Sequence, residues 1–319
     1  MRFLMVIIPV LALLGAVGAV AQSKGGPVED IRLPEDPCLK RLDAAARRKA
    51  AAARRKMTEK QIAKARAKAK AKAEACYRKG VAYFLRGRYT LAHEFWLPLA
   101  KAGHVKAQFG LSKLYARGLG VEEKDEKIAY TWLRKAAEAG FANAQYALGD
   151  ALLRGKGVKQ DQREAVAWYE KAAGQGHGEA RFKLAALHYA GIGVPKNEKR
   201  GLLLYRAAAD AGHPAAMTTM GVMYFNGQVV KKSETKARDW WIKASYAGEI
   251  NAMVFLARIY HRSTHLPRNY PYAYAWYTMA AQRGDISAKK ERTGLMRLMR
   301  SIELRKGKAH LAMIKKKVR

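Results

Sequence analysis

The chain repeats itself at a fixed interval, and this constrains its fold more than any other feature. Glycine recurs at a spacing of 36 or 37 residues, at positions 103, 140, 176, 212, 248 and 284. A unit of this length cannot bury an apolar face alone, but stacked neighbouring units bury a continuous core. The period therefore predicts a solenoid-like array rather than a domain with one central core.

The half of each repeat that precedes the glycine has the pattern of an α-helix, which we call helix B. Two large side chains lie eight and seven residues before the glycine, as in Trp168-Tyr169, and small residues follow four positions later, as in Ala172-Ala173. Positions four apart share a helical face, so rings on one helix can pack beside alanines on another. Fifteen residues before the glycine stands a residue type that caps helix N-termini: Asp125, Asp161, Asn197, Ser233 and Asn269.

The half that follows the glycine predicts a second helix, helix A, which opens each hairpin. It starts near an alanine four residues after the glycine. A Leu or Met stands four residues after that alanine and is followed by a small residue, such as Gly149 or Gly221. Three of these helices end in Gly-x-Gly-Val, where glycine allows the left-handed backbone of a helix C-terminus. None of these loops continues as G-x-G-x-x-G, so a dinucleotide site is not supported.

The complete pattern resembles the Sel-one-like repeat, a relative of the tetratricopeptide repeat with a longer loop between its helices. The best match is AQYALGDALLRGKGVKQDQREAVAWYEKAAGQGH at residues 144–177, and the resemblance covers residues 77–286 as one short and five full units. It implies an all-α, right-handed α-solenoid whose concave face binds proteins or peptides. The pattern is broken at the short turn 86–88, at Val229, and at Ser263 and His265, which replace loop glycines.

The N-terminus has the pattern of a secretory signal peptide. Met1-Arg2 is followed by an uncharged apolar run over residues 3–20 and by the A-x-A sequence at residues 19–21. This predicts cleavage near Ala21 and a periplasmic or secreted mature protein, with residues 22–37 as a flexible linker. The alternative is an uncleaved anchor, because the apolar run is almost long enough to span a bilayer.

Positive charge is concentrated at the two ends of a chain whose net charge is +35. Residues 38–79 contain 16 Lys/Arg against 3 Asp/Glu, and residues 288–319 contain 12 against 2. We expect a basic helical hairpin at 38–76 and basic capping helices at 287–319, around residues 293–299 and 302–314. The candidate anion-binding residues are Arg47, Arg48, Lys49, Arg54, Arg55, Lys56, Lys315, Lys316 and Lys317.

The ligand of these basic ends depends on where the protein resides. For an exported chain, anionic lipid, lipopolysaccharide or acidic polysaccharide is favoured and nucleic acid is not. The alternative for the hairpin is a solvated spacer that binds nothing.

The two cysteines, Cys38 and Cys76, lie at equal distances from the centre of the predicted hairpin. Thr58 and Gln61 form a capping box near that centre, so we expect helices at 38–55 and 59–78 folded back on each other. Such a hairpin would bring the cysteines together, and an oxidising compartment favours a disulfide between them. The alternative is one long helix with free thiols.

Few residues indicate chemistry. The S-x-x-K sequences at Ser233 and Ser287 lack the other motifs of penicillin-binding enzymes. His261 and His265 are spaced as metal ligands on a helix, but no acidic or Cys partner stands nearby. We therefore expect no enzymatic activity, no catalytic residue, no cofactor and no metal site.

Aromatic side chains are the candidates for partner contact. Phe109, Tyr146 and Phe182 either line a groove or pack in the core, and core packing is favoured. Tyr270, Tyr272 and Tyr274 accompany the most irregular loop and are better candidates for a contact surface.

Together these features predict an exported scaffold that binds a protein partner in the cell envelope, with basic ends on anionic envelope components. Two alternatives are a peptidoglycan-related hydrolase or penicillin-binding activity, and a polyanion-binding protein with a passive solenoid.

Overall fold

The computed structural model describes residues 59–318, except the side chains of residues 59–62, 65 and 66. Within that range the chain forms fourteen α-helices and no strand, which confirms the predicted all-α repeat architecture. The helices are α1 (Glu59–Leu85), α2 (Tyr89–Lys101), α3 (Val105–Arg117), α4 (Glu126–Glu138), α5 (Ala142–Arg154), α6 (Gln162–Gly174), α7 (Gly178–Ala190), α8 (Glu198–Asp210), α9 (Pro214–Asn226), α10 (Glu234–Tyr246), α11 (Ile250–Arg262), α12 (Tyr270–Gln282), α13 (Ile286–Met296) and α14 (Ser301–Lys317).

The predicted N-caps of helix B are confirmed in every full repeat. In each one the side-chain oxygen accepts a hydrogen bond from the backbone N–H three residues later, at distances of 2.8 to 3.3 Å. Each bond satisfies one of the N–H groups that the first turn of a helix leaves without a partner. The helices begin where the repeat pattern places them: α4, α6, α8, α10 and α12.

The chain divides between Ala139 and Gly140 into two compact units. The first contains α1 to α4, and its core is built around Trp96 of α2. The indole lies against Gly110 of α3, where a Cβ atom would come within 2.7 Å of the ring. It also lies against Gly80 of α1, and its Nε1 donates to the Tyr77 carbonyl at 3.2 Å. Small residues at these two positions therefore let three helices close around one ring.

The second unit contains α5 to α14, and its aromatic rings also pack against glycines of a neighbouring helix. Tyr169 of α6 rests on Gly149 of α5, and Trp241 of α10 rests on Gly221 of α9. Trp241 Nε1 donates to the Thr218 carbonyl at 3.2 Å. The structure thus explains the small residue predicted in helix A: it receives the second ring of the large pair in helix B.

The C-terminal end differs from the prediction in its first helix. We expected a segment around residues 293–299, but α13 is Ile286–Met296. Asp285 caps it at 2.6 Å, and Ala288 is fully buried at the position where each repeat starts helix A. The first part of the predicted cap is therefore a further helix A in register. The second predicted segment corresponds to α14 and packs against α12.

The N-terminal end of the described chain is one long helix. α1 continues without a break past residue 76, so the second arm of the predicted basic hairpin and the first repeat share a helix. Cys76 lies on α1 and is 4% exposed. Cys38, the signal peptide, the linker and the first arm of the hairpin lie outside the described residues, so those predictions stay predictions. None of the helices in residues 59–318 combines the length and apolarity that crossing a membrane requires.

Candidate protein-binding surface

One stripe of each A helix is left uncovered by helix B, and we call these stripes the A face. They consist of the residues 3, 7, 10 and 14 positions after the landmark glycine, a spacing that follows one side of a helix. The first and last residues of a stripe are mostly exposed and the middle ones mostly half-buried. In the second unit the A face comprises Asn143, Ala147, Asp150, Arg154, Glu179, Lys183, Ala186, Ala190, Ala215, Thr219, Val222, Asn226, Asn251, Phe255, Arg258 and Arg262.

Histidines fix the start of two of these helices. His177 Nδ1 accepts from the Ala180 N–H at 3.2 Å, and His213 Nδ1 accepts from the Ala216 N–H at the same distance. The ring of Tyr146 stacks on His177 at 4.9 Å between centroids, and Phe182 stacks on His213 at 5.0 Å. The repeat pattern in the sequence did not identify these histidines as caps. His104 plays the same part in the first unit, beneath Tyr77.

Asp150 is held in place from helix B. The Tyr169 hydroxyl donates to Asp150 Oδ1 at 2.5 Å, and Arg154 lies 4.0 Å from the other carboxylate oxygen. Burial, followed by the nearby Asp150 charge, raises the pKa of Tyr169 well above its ordinary value, so the phenol keeps its proton and remains a donor. The Asp150 carboxylate is therefore oriented by contacts within the chain.

Glu179 and Lys183 stand one turn apart on α7. Glu179 Oε1 lies 3.0 Å from His213 Nε2, and that contact holds the pKa of the Glu179 carboxyl below its usual value. Lys183 is only 8% exposed. Burial lowers the pKa of its ammonium group, because a charge loses hydration there.

The end of the A face is tied to α13. Arg262 pairs with Glu291 at 2.7 Å, and Arg258 donates to the Ser287 hydroxyl at 3.3 Å. These pairs connect one A helix to the next. They are exposed, so each contributes at most about 1 kcal/mol.

The aromatic residues of helix A mainly serve packing. Phe182 is 8% exposed and lies against Tyr205 as well as His213. Tyr146 is half-buried between Tyr169 and His177. Phe109 is half-buried with the Lys113 ammonium 4.3 Å from its ring centroid. Partner binding by these three rings stays a prediction; Phe109 and Tyr146 are half-buried, whereas Phe182 is buried.

The tyrosine cluster of the last repeat lies beneath α14. Tyr274 is 8% exposed, and Gly307 of α14 sits directly against its ring. Tyr272 stacks on His310 at 4.0 Å and on Tyr260 at 5.5 Å, while Tyr270 meets His261 edge-on. The sequence placed these rings at the irregular loop but did not reveal that the C-terminal helix covers them. Their role in partner binding stays a prediction.

Only some of the predicted anion-binding residues lie within residues 59–318, which the structure describes. Lys315, Lys316 and Lys317 are exposed in the last turn of α14. The six candidates between Arg47 and Lys56 lie outside the described residues. Anion binding at either end stays a prediction.

The residues considered for catalysis or metal binding have structural roles. Ser233 caps α10, and Ser287 accepts from Arg258. His261 is buried in α11, whereas His265 lies in the following loop, 3.9 Å from Glu234. Across residues 59–318 no group of three or more His, Cys, Asp or Glu side chains is arranged to hold a metal ion.

Comparison with known proteins agrees with this geometry. A family model described as Sel1 repeat matches five consecutive segments, residues 105–141, 142–177, 178–213, 214–249 and 250–285. Among solved structures, the chain is similar to a Sel1 repeat protein from Oxalobacter formigenes, with 33% identity and a TM-score of 0.62, over 75% of this chain and 96% of that one. It is also similar to a protective antigen of uropathogenic Escherichia coli with an SLR fold, with 26% identity and a TM-score of 0.39, over 76% and 61%. A search of curated proteins gives no match.

Proposed function

Because the chain belongs to the Sel1 repeat family, whose fold generally serves as a protein interaction scaffold, we propose that it is an exported scaffold that binds a protein partner in the cell envelope through its A face. The observation that carries this proposal is the A face itself. Helix B covers one side of every A helix, and the other side stays accessible at regular intervals. Repeat arrays use such surfaces for binding.

The composition of the A face supports a protein rather than a small molecule. In the second unit it changes from charged residues on α5 and α7 to uncharged ones on α9, then to Phe255 with two arginines on α11. Arginine and aromatic residues are enriched at protein interfaces. Function as an enzyme receives no comparable support, since the two candidate serines are already engaged within the fold.

Export and contact with anionic envelope components complete the proposal. They are supported by the signal-peptide pattern at residues 1–21 and by the basic segments at both ends. Mass analysis of the protein isolated from its own cells tests export: a mature chain that begins at Gln22, recovered from the envelope or the medium, is the expected result. An intact N-terminus on a cytosolic chain would contradict it.

Site-specific photo-crosslinking in those cells tests the binding face. A photoreactive residue at Asn143 or Asn251, both exposed on the A face, should crosslink the same protein partner. The same group at Glu170 or Lys199, exposed on helices of type B, serves as the matched control and should not. Equal crosslinking from all four positions would contradict a specific A face.

A further inference from the structure

Lys183 is a buried residue whose charge is not paired within the described part of the chain. It lies near the middle of the α7 stripe and is 8% exposed. No described residue between 59 and 318 makes an ion pair within 4.0 Å or a hydrogen bond with it. At the same position the other A helices of the second unit carry Ala147, Thr219, Phe255 and, on α13, Glu291. A lysine therefore occurs at this position once in the second unit, and burying its charge is costly.

The two carboxylates near Lys183 each contact another group of the fold. Asp150 accepts the Tyr169 hydroxyl and faces Arg154. Glu179 faces His213, at 3.0 Å from its Nε2. Both carboxylates act on Lys183 only through space, and Arg154 opposes them. The fold thus surrounds the ammonium with a polar environment but supplies no ion-pair partner.

We propose that Lys183 binds the side-chain carboxylate of a glutamate in an acidic segment of the partner protein. A carboxylate that docks here would form a charge-assisted hydrogen bond with an ammonium whose side chain is mostly covered. This inference rests on the proposed function, because it assigns an anchor on the A face.

Charge and side-chain length both favour this occupant. Arg154 adds a second positive group near Asp150, and the chain as a whole carries a net charge of +35. Most of the Lys183 side chain is covered, so a side chain with two methylene groups reaches its end, whereas a chain terminus would have to bring its backbone into the stripe.

Fluorescence anisotropy with the full mature chain provides the test. The probe is a labelled, terminally blocked octapeptide with four glutamates, measured at about 0.15 M salt so that contacts between exposed charges are largely screened. Its glutamine counterpart and an unblocked glycine peptide with a free C-terminal carboxylate are the comparison probes. The variant is Lys183→Met, which keeps the length of the side chain and removes the charge. The control is Lys199→Met, which removes one exposed charge from α8.

The expected result is a loss of about tenfold in affinity for the glutamate peptide in Lys183→Met, and less than twofold in Lys199→Met. The glutamine and glycine peptides should bind more weakly than the glutamate peptide and should not respond to Lys183→Met. Equal losses in the two variants would overturn the inference, since they would indicate non-specific attraction to a basic protein. Preference for the free C-terminal carboxylate would overturn the choice of a side-chain carboxylate.

Carbodiimide coupling of the glutamate peptide to the unaltered protein gives a second readout that does not depend on a variant. A carboxylate held against an amine forms an amide with it, so peptide mapping should recover the probe on Lys183 above other lysines. Coupling spread in proportion to exposure would contradict the inference. If the A-face positions crosslink no partner but Lys183→Met still weakens binding of the glutamate peptide, the carboxylate site at Lys183 is supported and the proposed function is not.

Discussion

Two loops of the second unit close in the same way but are held by different means. In the loop after α7 the Asn197 N–H donates to the His188 carbonyl at 2.7 Å, and in the loop after α11 the Asn269 N–H donates to the Tyr260 carbonyl at 2.8 Å. The first loop uses two glycines with positive φ, Gly191 and Gly193. The second loop has neither, and a side chain holds it instead.

Ser263, at the position of the first glycine, holds the second loop through its side chain. Its Oγ accepts from the His265 and Leu266 N–H groups at 3.1 and 2.7 Å and donates to Glu234 at 2.6 Å. One loop is therefore specified by backbone conformation and the other by side-chain hydrogen bonds. The comparison teaches that the repeat conserves the closure of the loop, not the residues that achieve it.

The largest expected effect comes from Gly193→Ala. A Cβ atom there would lie 2.3 Å from the Gln162 carbonyl oxygen, and φ is +72°. We expect a loss of about 3 kcal/mol in the free energy of unfolding, from the left-handed backbone and the clash together. Urea unfolding measures it. The control is Gly212→Ala, where φ is +91° but no atom lies within 4 Å; it should cost only about 1 kcal/mol. Equal losses of stability in the two variants would show that the close contact between Gly193 and the Gln162 backbone is unimportant.

Ser263→Ala should have the next largest effect. It removes the acceptor for two backbone N–H groups and the donor to Glu234, at a cost of about 2 kcal/mol. Ser263→Thr keeps the hydroxyl and should retain most of the stability. Urea unfolding of both variants provides the measurement, and a neutral Ser263→Ala would mean that the irregular loop is held by something else.

The packing of α14 against α12 should become less stable in acid. Burial lowers the pKa of His310, whose ring stacks on Tyr272. The unfolded chain therefore binds a proton to this histidine at higher pH than the folded chain does. The free energy of unfolding is greatest above about pH 6.5 and falls as the pH drops through the lowered pKa of His310. His310→Phe keeps a ring on Tyr272 and should reduce the loss between pH 7.5 and pH 5. Unfolding at both pH values, with His188→Phe as the control, checks this; an unchanged loss in His310→Phe would exclude His310 as a source.

The smallest effect is expected at Val229, which has a φ of +63° in the loop between α9 and α10. β-Branched residues adopt this conformation at a cost, and glycine removes the strain while adding entropy to the unfolded chain. Val229→Gly should raise the free energy of unfolding by about 0.5 to 1 kcal/mol. A loss of stability would indicate that the Val229 side chain makes packing contacts worth more than the strain.

The sequence predicted what depends on periodicity. The two helices of each repeat, the five caps of helix B and the loop glycines all follow from residue types at fixed distances. The limits of α13 were missed because Asp285 and Ala288 continue the register without the rest of the pattern. The sequence did not predict that α14 packs over Tyr272 and Tyr274, because contacts between distant segments leave no periodic signal.

The candidate site was less predictable than the fold. The aromatic residues of helix A could be placed, but their stacking on the capping histidines could not. Lys183 was overlooked, although it is the one lysine at a repeat position that otherwise holds Ala147, Thr219, Phe255 and Glu291 in the second unit. What the sequence cannot supply is the burial of that lysine and the engagement of both neighbouring carboxylates.

The central claim is that the A face binds the partner, and the affinity of the crosslinked partner for surface variants tests it most directly. Asn143→Trp and Asn251→Trp place a large ring on exposed A-face positions, and Glu170→Trp and Lys199→Trp do the same on helices of type B. The account predicts that the A-face variants bind the purified partner at least about tenfold more weakly, and that the others stay within about twofold of the unaltered protein. The reverse pattern, or no difference between the two pairs, would contradict it.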